Sequence, residues 1–242
     1  MRKTICLSIA ALGINAITPT LGSIVFDVNF ESPTHVNGSA PTVGTGSDMV
    51  SGTSGIWTIT NSFADSLSQV AAMDVLATGG GLGFSAGSNY FSGVHLISWD
   101  LAMLAPSSQS SIHFFAVNGP AQAVVIDYFG DGTVRIYDPN GSIENAATAS
   151  LGSFHSFAVT FDLNSLSYDV LLDGNPVLEN RAIQADTGIY GVSIFNPFGG
   201  TTLGVDNFRW EIVPEPSTIG LIGLGVVGLC GRWMAKRKST RG

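Results

Sequence analysis

The sequence predicts an all-β chain that folds as an antiparallel β-sandwich. Apolar and polar residues alternate with a period of two over much of residues 94–212, the pattern of strands with one buried face. Turn signals built from Gly, Asp, Asn and Pro recur every eight to twelve residues. Short strands at such intervals are typical of sandwiches and barrels.

The alternation assigns an inward face to each predicted strand. The segment 112–117 is apolar on both faces, which predicts a strand buried on both sides. The residues expected to point into the core are Ile97, Trp99, Leu101, Val124, Ile126, Tyr128, Val134, Ile136, Phe157, Val159, Phe161, Tyr168, Val170, Leu172, Tyr190, Val192, Ile194, Phe208, Trp210 and Ile212.

Four turn motifs separate these strands. Gly130-Asp131-Gly132 predicts a hairpin, and Asp138-Pro139-Asn140-Gly141 is a strong turn signal that ends its return strand. Turns at 162–165 and at Asp173-Gly174-Asn175-Pro176 bound the strand that contains Tyr168.

Two segments depart from the strand pattern. Residues 32–55, rich in Gly, Ser, Thr and Pro, predict a loop. Over Ala64–Leu76, the spacing of Phe63, Leu67 and Val70 leaves a helix as an alternative to strand. The chain shows no internal repeat and no mid-chain linker, so we expect one domain at 23–213, long enough for a sizeable core.

The N-terminus has the features of a secretory signal peptide. Met1-Arg2-Lys3 is positively charged, Thr4–Ile17 is a short apolar segment, and Thr20-Leu21-Gly22 offers small residues to a signal peptidase. We therefore expect a signal peptide at 1–22, cleaved after Gly22.

The last thirty residues place three distinct parts in a row. Val213-Pro214-Glu215-Pro216-Ser217 is followed by an uncharged run to Gly231 and by a basic cluster of Arg232, Lys236, Arg237 and Lys238. Residues 217–231 would form a helix of roughly 23 Å, short of the ~30 Å hydrocarbon core. If Arg232 snorkels and the helix continues to residue 235, its length approaches that of a span. We expect a transmembrane helix at about 217–235.

This order of parts resembles the PEP-CTERM sorting signal of bacterial envelope proteins. In that family the Pro-Glu-Pro motif, here Pro214-Glu215-Pro216, marks where a membrane-embedded exosortase is thought to act. The resemblance covers 214–242 and implies an inner-membrane anchor, an exosortase-type partner and a later place at the cell surface or in the extracellular matrix. Both a cleaved tail and a permanent anchor fit the residues.

The charge of the expected exported part excludes one class of partner. Residues 23–213 contain three arginines, no lysine and 17 acidic residues, a formal charge of −14. Nucleic acid binding needs a basic face, so we exclude it. The two cysteines, Cys6 and Cys230, lie in the targeting segments, so the domain is expected to fold without a disulfide.

A second, weaker resemblance concerns the body of the chain. The strand residues 154–162, the segment from Tyr168 to Gly174, and Val205-Asp206-Asn207-Phe208 are similar to strands of laminin-G and concanavalin A-like jelly rolls. That resemblance implies a jelly-roll-like sandwich whose rim loops often bind sugar, sometimes with Ca²⁺.

Signatures of catalysis are missing from the sequence. Glycoside cleavage needs two carboxylates across the scissile bond. The glutamates of the exported part, Glu31, Glu144, Glu179 and Glu211, are widely separated. The sequence has no Gly-x-Ser-x-Gly elbow between a strand and a helix, and no His-Glu-x-x-His motif. We predict that the protein is not an enzyme.

Metal ligands are not assigned by the sequence. Asp162-x-Asn164 and residues 127–132 faintly suggest Ca²⁺ loops, but neither has twelve-residue spacing with a terminal Glu, which favours Asx turns and a hairpin. We expect no cofactor, with Ca²⁺ left as an alternative. The histidines are widely spaced and favour strand or surface roles over ligation: His35, His95, His113 and His155.

Aromatic residues near Gly-, Ser- or Pro-rich segments are the remaining binding candidates. Tyr90, Phe91, Phe195 and Phe198 would stack on sugars if exposed, although core packing is the favoured interpretation of each. The sequence thus predicts an exported envelope or matrix protein with a non-catalytic sandwich body. The alternatives are a lectin-like module that binds polysaccharide and, less favoured, a glycoside hydrolase.

Overall fold

A computed structural model describes residues 22–54, 57–73, 80–104, 109–117, 122–137, 143–183, 188–196 and 202–214. These residues contain strands and no helix, which confirms the all-β prediction. The strands are β1 (Ser23–Val28), β2 (Gly52–Ser54), β3 (Trp57–Thr60), β4 (Val70–Met73), β5 (Gly80–Tyr90), β6 (Val94–Met103), β7 (Gln109–Ala116), β8 (Gln122–Phe129), β9 (Thr133–Tyr137), β10 (Ile143–Thr148), β11 (His155–Asp162), β12 (Ser167–Leu172), β13 (Asn175–Ala182), β14 (Ile189–Asn196) and β15 (Leu203–Val213).

The strands form two antiparallel sheets. The eight-stranded sheet has the order β13-β12-β11-β6-β15-β4-β3, with β1 also paired to β15. The seven-stranded sheet has the order β10-β9-β8-β7-β14-β5-β2. Along one side of the sandwich, Arg181 on β13 forms an ion pair with Glu144 on β10, so the edge strands of the two sheets meet there.

Aromatic contacts between the sheets identify the inner faces. Trp99 of the eight-stranded sheet lies 5.7 Å from Phe114 of the other sheet between ring centroids. Phe84 and Phe208 stack across the interior at 3.7 Å, and both are buried. Alternate residues of most strands therefore fill the interior between the sheets, while the residues between them face outward, and β13 has no buried residue.

The inward residues predicted from the alternation are buried, with two exceptions. Tyr190 points outward, because a register shift between Ile189 and Gly191 places Ile189 in the core instead. Ile212 is only half-buried near the end of β15. The prediction that 112–117 is buried on both sides was also wrong, since His113 and Phe115 are half-buried on the outer face.

The alternative of a helix over Ala64–Leu76 is wrong for the residues that the structure describes there. Turns at 64–65 are followed by β4, and the loop packs Phe63 over the eight-stranded sheet. Gly204 permits this packing, because a Cβ at that position would stand 2.4 Å from the Phe63 ring. Residues 32–51 are loop and turn except for an isolated bridge between Val43 and Val50.

A β-bulge interrupts the long strand β15. Its register against β6 shifts between Asp206 and Arg209, and Asn207 takes a left-handed backbone conformation with φ of 49°. The extra residue restores the inward direction of Phe208 and Trp210 after the bulge. The bulge leaves Asp206 and Asn207 on the outer side of the sheet.

Among the described residues, no helix is long and apolar enough to cross a membrane. The predicted helix at about 217–235 and residues 1–21 of the expected signal peptide lie outside the described residues.

Candidate functional site

Polar side chains gather on the outer face of the seven-stranded sheet. Inward-facing Ile112 and Phe114 alternate with outward-facing residues on β7, and β8 alternates in the same way. The strands pair in register from Gln109 to Phe114, and a register shift between Phe114 and Phe115 turns Gln122 to the outer face, so the outward side chains lie beside one another. We call the following set the polar strip: Gln109, Ser111, His113, Gln122 and Asp127.

Asp127 is held by two charge-assisted hydrogen bonds within the strip. The Ser111 hydroxyl donates to Asp127 Oδ1 at 2.5 Å, and Gln109 Nε2 donates to Oδ2 at 2.8 Å. Only 6% of Asp127 is exposed, so these bonds replace the water that the carboxylate loses. The carboxylate is therefore a fixed acceptor in a partly shielded site.

His113 and Gln122 form a second fixed pair. Gln122 Nε2 donates to His113 Nδ1 at 2.9 Å, which leaves the neutral ring with its proton on Nε2. Burial lowers the pKa of His113, and the charge of Asp127 opposes that shift only in part. The pair thus offers a ligand one imidazole N–H donor and the Gln122 carbonyl acceptor.

Aromatic rings flank the polar strip on the same face. Phe195 of β14 lies 6.2 Å from the His113 ring, and Phe115 stacks on Tyr190 at 5.8 Å. On the other side, the Arg135 guanidinium lies 4.5 Å from the centre of the Phe129 ring. Aromatic side chains beside a few fixed donors and acceptors are usual components of small-ligand sites.

Glycines leave the neighbouring strand β5 without side chains on this face. Gly83 pairs with Ser193 of β14, and Gly81 pairs with Phe195. A Cβ at Gly83 would meet its nearest atom at 3.6 Å, so there is space for a side chain that the sequence does not use. The result is an open space at Gly83, separated from the strip by β14.

The arrangement on this face suits binding better than catalysis. Asp127 is the single carboxylate of the strip, and both of its oxygens accept hydrogen bonds from neighbours. Glycoside cleavage needs a second carboxyl group several ångströms away. The strip presents hydrogen-bonding groups beside the rings of Phe195 and Phe129.

The aromatic candidates from the sequence have different environments. Phe195 lies beside the polar strip, and Phe91 is 50% exposed. Tyr90 packs against His95 and Trp210, at ring distances of 4.9 and 5.7 Å, which is a packing role. Phe198 lies outside the described residues.

The four histidines lie apart from one another. His35 and His95 are fully buried, and burial lowers the pKa of each. His95 is oriented by Trp210 Nε1, which donates to its Nδ1 at 3.2 Å. In the described ranges, no group of three or more His, Cys, Asp or Glu side chains is placed to hold a metal ion.

The two segments that suggested Ca²⁺ loops form local turns. Asp162 Oδ1 accepts hydrogen bonds from the backbone N–H groups of Asn164 and Ser165, at 2.9 and 3.1 Å. Hydrogen bonds from Ser165 lower the pKa of the Asp162 carboxyl. Asp131 likewise accepts from the Thr133 N–H at 2.8 Å, in the hairpin between β8 and β9. Both are Asx-type turns.

Sequence reasoning missed a cluster at one end of the sandwich. His155, the first residue of β11, lies between Ser150 and Asp173, which come from the preceding loop and from the β12–β13 turn. Only the Asp-Gly turn signal was visible in the sequence. Strand pairing of β11 with β12 brings together residues that are 18 positions apart.

Two depressions lie on the surface of the described strands and loops. One, of about 320 Å³, lies on the eight-stranded sheet, where Asp100 Oδ1 accepts from the Ser156 hydroxyl at 2.5 Å and Oδ2 accepts from Asn207 Nδ2 at 2.8 Å. The other, of about 450 Å³, lies between β1, the loop at 44–46 and β5, and is lined mainly by small residues.

The predicted sorting residues fall at the edge of the described chain. Val213 is the last residue of β15, and Pro214 follows it. The remaining residues of the motif and its basic flank lie outside the described residues: Glu215, Pro216, Ser217, Arg232, Lys236, Arg237 and Lys238.

Comparisons with solved structures support the sandwich fold. The chain is similar to Cip1, a cellulose-induced protein (12% identity, 76% of this chain and 96% of that one, TM-score 0.54). It is also similar to the globular domain of T. cruzi calreticulin (11% identity, 86% and 95%, TM-score 0.54). A carbohydrate esterase of the Shiga toxin-encoding bacteriophage phi24B matches as well (13% identity, 80% and 100%, TM-score 0.53). At these identities, the likenesses establish the fold alone.

Two sialidases, one from Trypanosoma rangeli, are much longer than the matched region. The match covers 16% and 26% of their chains, with TM-scores of 0.47 and 0.48. No curated protein sequence matches the chain.

The C-terminal segment matches a known family. Residues 213–238 correspond to the PEP-CTERM protein-sorting motif, which begins where β15 ends. That motif implies an exported protein that exosortase sorts. The chain is therefore an all-β sandwich that carries a PEP-CTERM protein-sorting motif at residues 213–238.

Proposed function

We propose that this protein is a cell-surface or extracellular-matrix component that binds polysaccharide through the polar strip, without cleaving it. The sorting motif supports export. The hydrogen-bonded pair of His113 and Gln122, beside Phe195, is the observation that carries the binding function. Its donor and acceptor are fixed before any ligand arrives, which reduces the entropy lost on binding.

The charge of the domain favours an uncharged polysaccharide. Residues 23–213 carry a formal charge of −14, which repels a polyanion at long range. Within the strip, Asp127 adds a negative charge. The amide, imidazole and carboxylate groups of the strip form hydrogen bonds with the hydroxyl groups of a neutral sugar. The aromatic rings pack against the apolar faces of the sugar.

Membrane attachment through the tail is the other part of the proposal. The apolar run at about 217–235 would hold the protein in the inner membrane until exosortase acts at Pro214-Glu215-Pro216. The sandwich then reaches the surface or the matrix. This order explains why a binding domain and a marginal membrane anchor share one chain.

A glycan array followed by calorimetry tests the binding function. We expect neutral polysaccharides to bind, and Gln122→Ala to lower the affinity by about tenfold, or 1.4 kcal/mol. Thr160→Val is the matched control, because Thr160 is half-buried on the outer face of the other sheet. If Gln122→Ala, Thr160→Val and the parent bind the polysaccharide with equal affinity, the polar strip is not the binding site.

The same samples test the absence of cleavage. The polysaccharide recovered after incubation should have its original chain length. A shortened product would overturn the non-catalytic part of the proposal. If no glycan binds, a purely structural role of the sandwich replaces the binding function.

A further inference from the structure

The cluster of Ser150, His155 and Asp173 has the connectivity of a nucleophile, a base and an orienting acid. His155 Nδ1 lies 2.7 Å from Asp173 Oδ2, and His155 Nε2 lies 3.1 Å from Ser150 Oγ. An ionised carboxylate only accepts, so Nδ1 carries the proton that it donates to Asp173. Nε2 also lies 3.0 Å from the Ser150 carbonyl oxygen, so it donates to that carbonyl when the ring is an imidazolium and accepts the Ser150 hydroxyl proton when the ring is neutral.

The surroundings hold the base and the acid in place. The Ser156 N–H donates to Asp173 Oδ1 at 2.9 Å, and the Asp173 N–H donates to the Ser156 carbonyl at 2.8 Å. The Tyr128 ring meets the His155 ring edge-on at 6.5 Å. The Tyr128 hydroxyl donates to the Ser150 carbonyl at 2.8 Å and so fixes the serine loop.

The three side chains differ in accessibility, and that of Asp173 is 46% exposed. Ser150 is exposed, whereas the side chain of His155 is only 12% exposed. Ser156 and Gly174, the chain neighbours of His155 and Asp173, line the depression of about 320 Å³. None of the three cluster residues lines that depression, so the ester reaches the cluster at the exposed Ser150.

We infer that Ser150, His155 and Asp173 form an acyl-transfer site for small O-acyl esters. This activity goes beyond the proposed polysaccharide binding and is located on another part of the molecule. It would replace the expectation that the protein is not an enzyme. Such triads are recognised by geometry and roles, whatever the order of the residues in the chain.

The reaction follows from the three contacts. Ser150 Oγ attacks the ester carbonyl carbon while its proton passes to His155 Nε2, and Asp173 stabilises the imidazolium. The bond from the acyl carbon to the alcohol oxygen then breaks, and the alcohol takes the proton from Nε2. Water repeats the sequence on the acyl-serine, which releases the carboxylic acid and restores Ser150. Between proton transfers, the Ser150 carbonyl, 3.0 Å from Nε2, accepts from the imidazolium.

A fluorophosphonate probe on the purified exported protein tests the site. We expect mass spectrometry to place the adduct on Ser150, because the probe phosphonylates an activated serine with loss of fluoride. His155→Gln should lower the labelling rate at least about a hundredfold, the scale of general-base catalysis. Asp173→Asn should lower it by a smaller factor. Release of p-nitrophenol from p-nitrophenyl acetate should follow the same order.

Ser153→Ala is the control, since Ser153 belongs to the same loop and the rate should be unchanged. An unlabelled Ser150 in the folded parent would overturn the inference, as would equal labelling of the parent and His155→Gln. If His155→Gln does not fold, labelling of the parent and of Asp173→Asn decides the question. Loss of glycan binding has no bearing on this result, so the two proposals fail separately.

Discussion

Hydrogen bonds between buried polar groups orient individual side chains in the core of this sandwich. Trp210 is fully buried, and its indole N–H donates to His95 Nδ1, while His95 Nε2 donates to the Ser92 carbonyl at 3.0 Å. The hydrogen bonds fix the neutral tautomer of a histidine that burial would otherwise penalise. Both ring nitrogens of His95 thus have a hydrogen-bond partner in the core.

Replacing Trp210 with alanine should therefore be costly. We expect Trp210→Ala to lower the free energy of unfolding by roughly 3 to 5 kcal/mol, because it leaves a cavity and removes the donor to His95. Urea denaturation measures the change. Trp210→Phe fills much of the volume and serves as the comparison. A midpoint for Trp210→Ala equal to that of the parent would contradict the buried position.

Asp206 predicts a pH dependence of stability. Burial raises its pKa to about 6, although hydrogen bonds from the Ser68 hydroxyl and the Asn207 N–H favour the ionised form. The folded chain thus binds this proton more tightly than the unfolded chain, where the pKa is about 3.9. The contribution of Asp206 to stability consequently falls as the pH rises from about 4 to 6.

Asp206→Asn removes this titration and keeps an oxygen that can accept from Ser68. We expect the stability difference, variant minus parent, to be larger at pH 7 than at pH 4, by about 2 kcal/mol. Histidines titrate in both chains and cancel in the difference. Urea denaturation across this pH range provides the values, and a difference independent of pH would show that burial does not raise the pKa.

At the scale of elements, the bulge in β15 decides which side chains reach each face. Asn207 has φ of 49°, a conformation that β-branched residues avoid. Without that extra residue, Phe208 and Trp210 would face outward, because a shift of one residue exchanges the two faces of a strand. The sequence pattern alone marked both aromatic residues as inward but did not show the bulge.

A pair of substitutions isolates the backbone contribution at the bulge. Asn207→Gly and Asn207→Val both remove the hydrogen bond to Asp100, but only valine is strained at positive φ. We expect Asn207→Val to be less stable than Asn207→Gly by about 1 to 2 kcal/mol. Thermal unfolding of the two variants measures this difference in stability. Equal stabilities would mean that the strand can lose the bulge without cost.

At the scale of the whole molecule, export and folding are assigned to different parts of the chain. The described strands belong to a compact unit spanning Gly22–Glu215, and the sorting motif covers 213–238. The domain boundaries at 22 and 213, the signal peptide and the membrane helix stay predictions from sequence. Their test is the fate of the tail in cells.

Replacing Pro214, Glu215 and Pro216 with alanine should block processing. In a host with a matching exosortase, we expect the parent to lose the apolar run and the variant to stay in the inner membrane with its basic tail intact. The C-terminal mass of the protein from each host measures this. A host without the enzyme is the control. Arg241 and Gly242 retained by the parent in both hosts would make the tail a permanent anchor.

The sequence by itself determined the class of the fold, most of its core and the sorting motif. Alternation of apolar residues is local information, so Ile97, Trp99 and Phe157 could be placed inward without knowing their partners. The short strands β2, β3 and β4 and the glycine-rich β5 carry weak local signals, because their pairing and packing are what stabilise them as strands.

Tertiary structure alone decided the candidate sites. His113 and Gln122 are nine positions apart, and His155 and Asp173 are 18 apart, so neither pair has a spacing that a local motif would show. Antiparallel pairing of β7 with β8, and of β11 with β12, brings these side chains into contact. The register of strand pairing depends on the whole sheet, and for this reason the chemistry of the two sites is absent from any single segment of sequence.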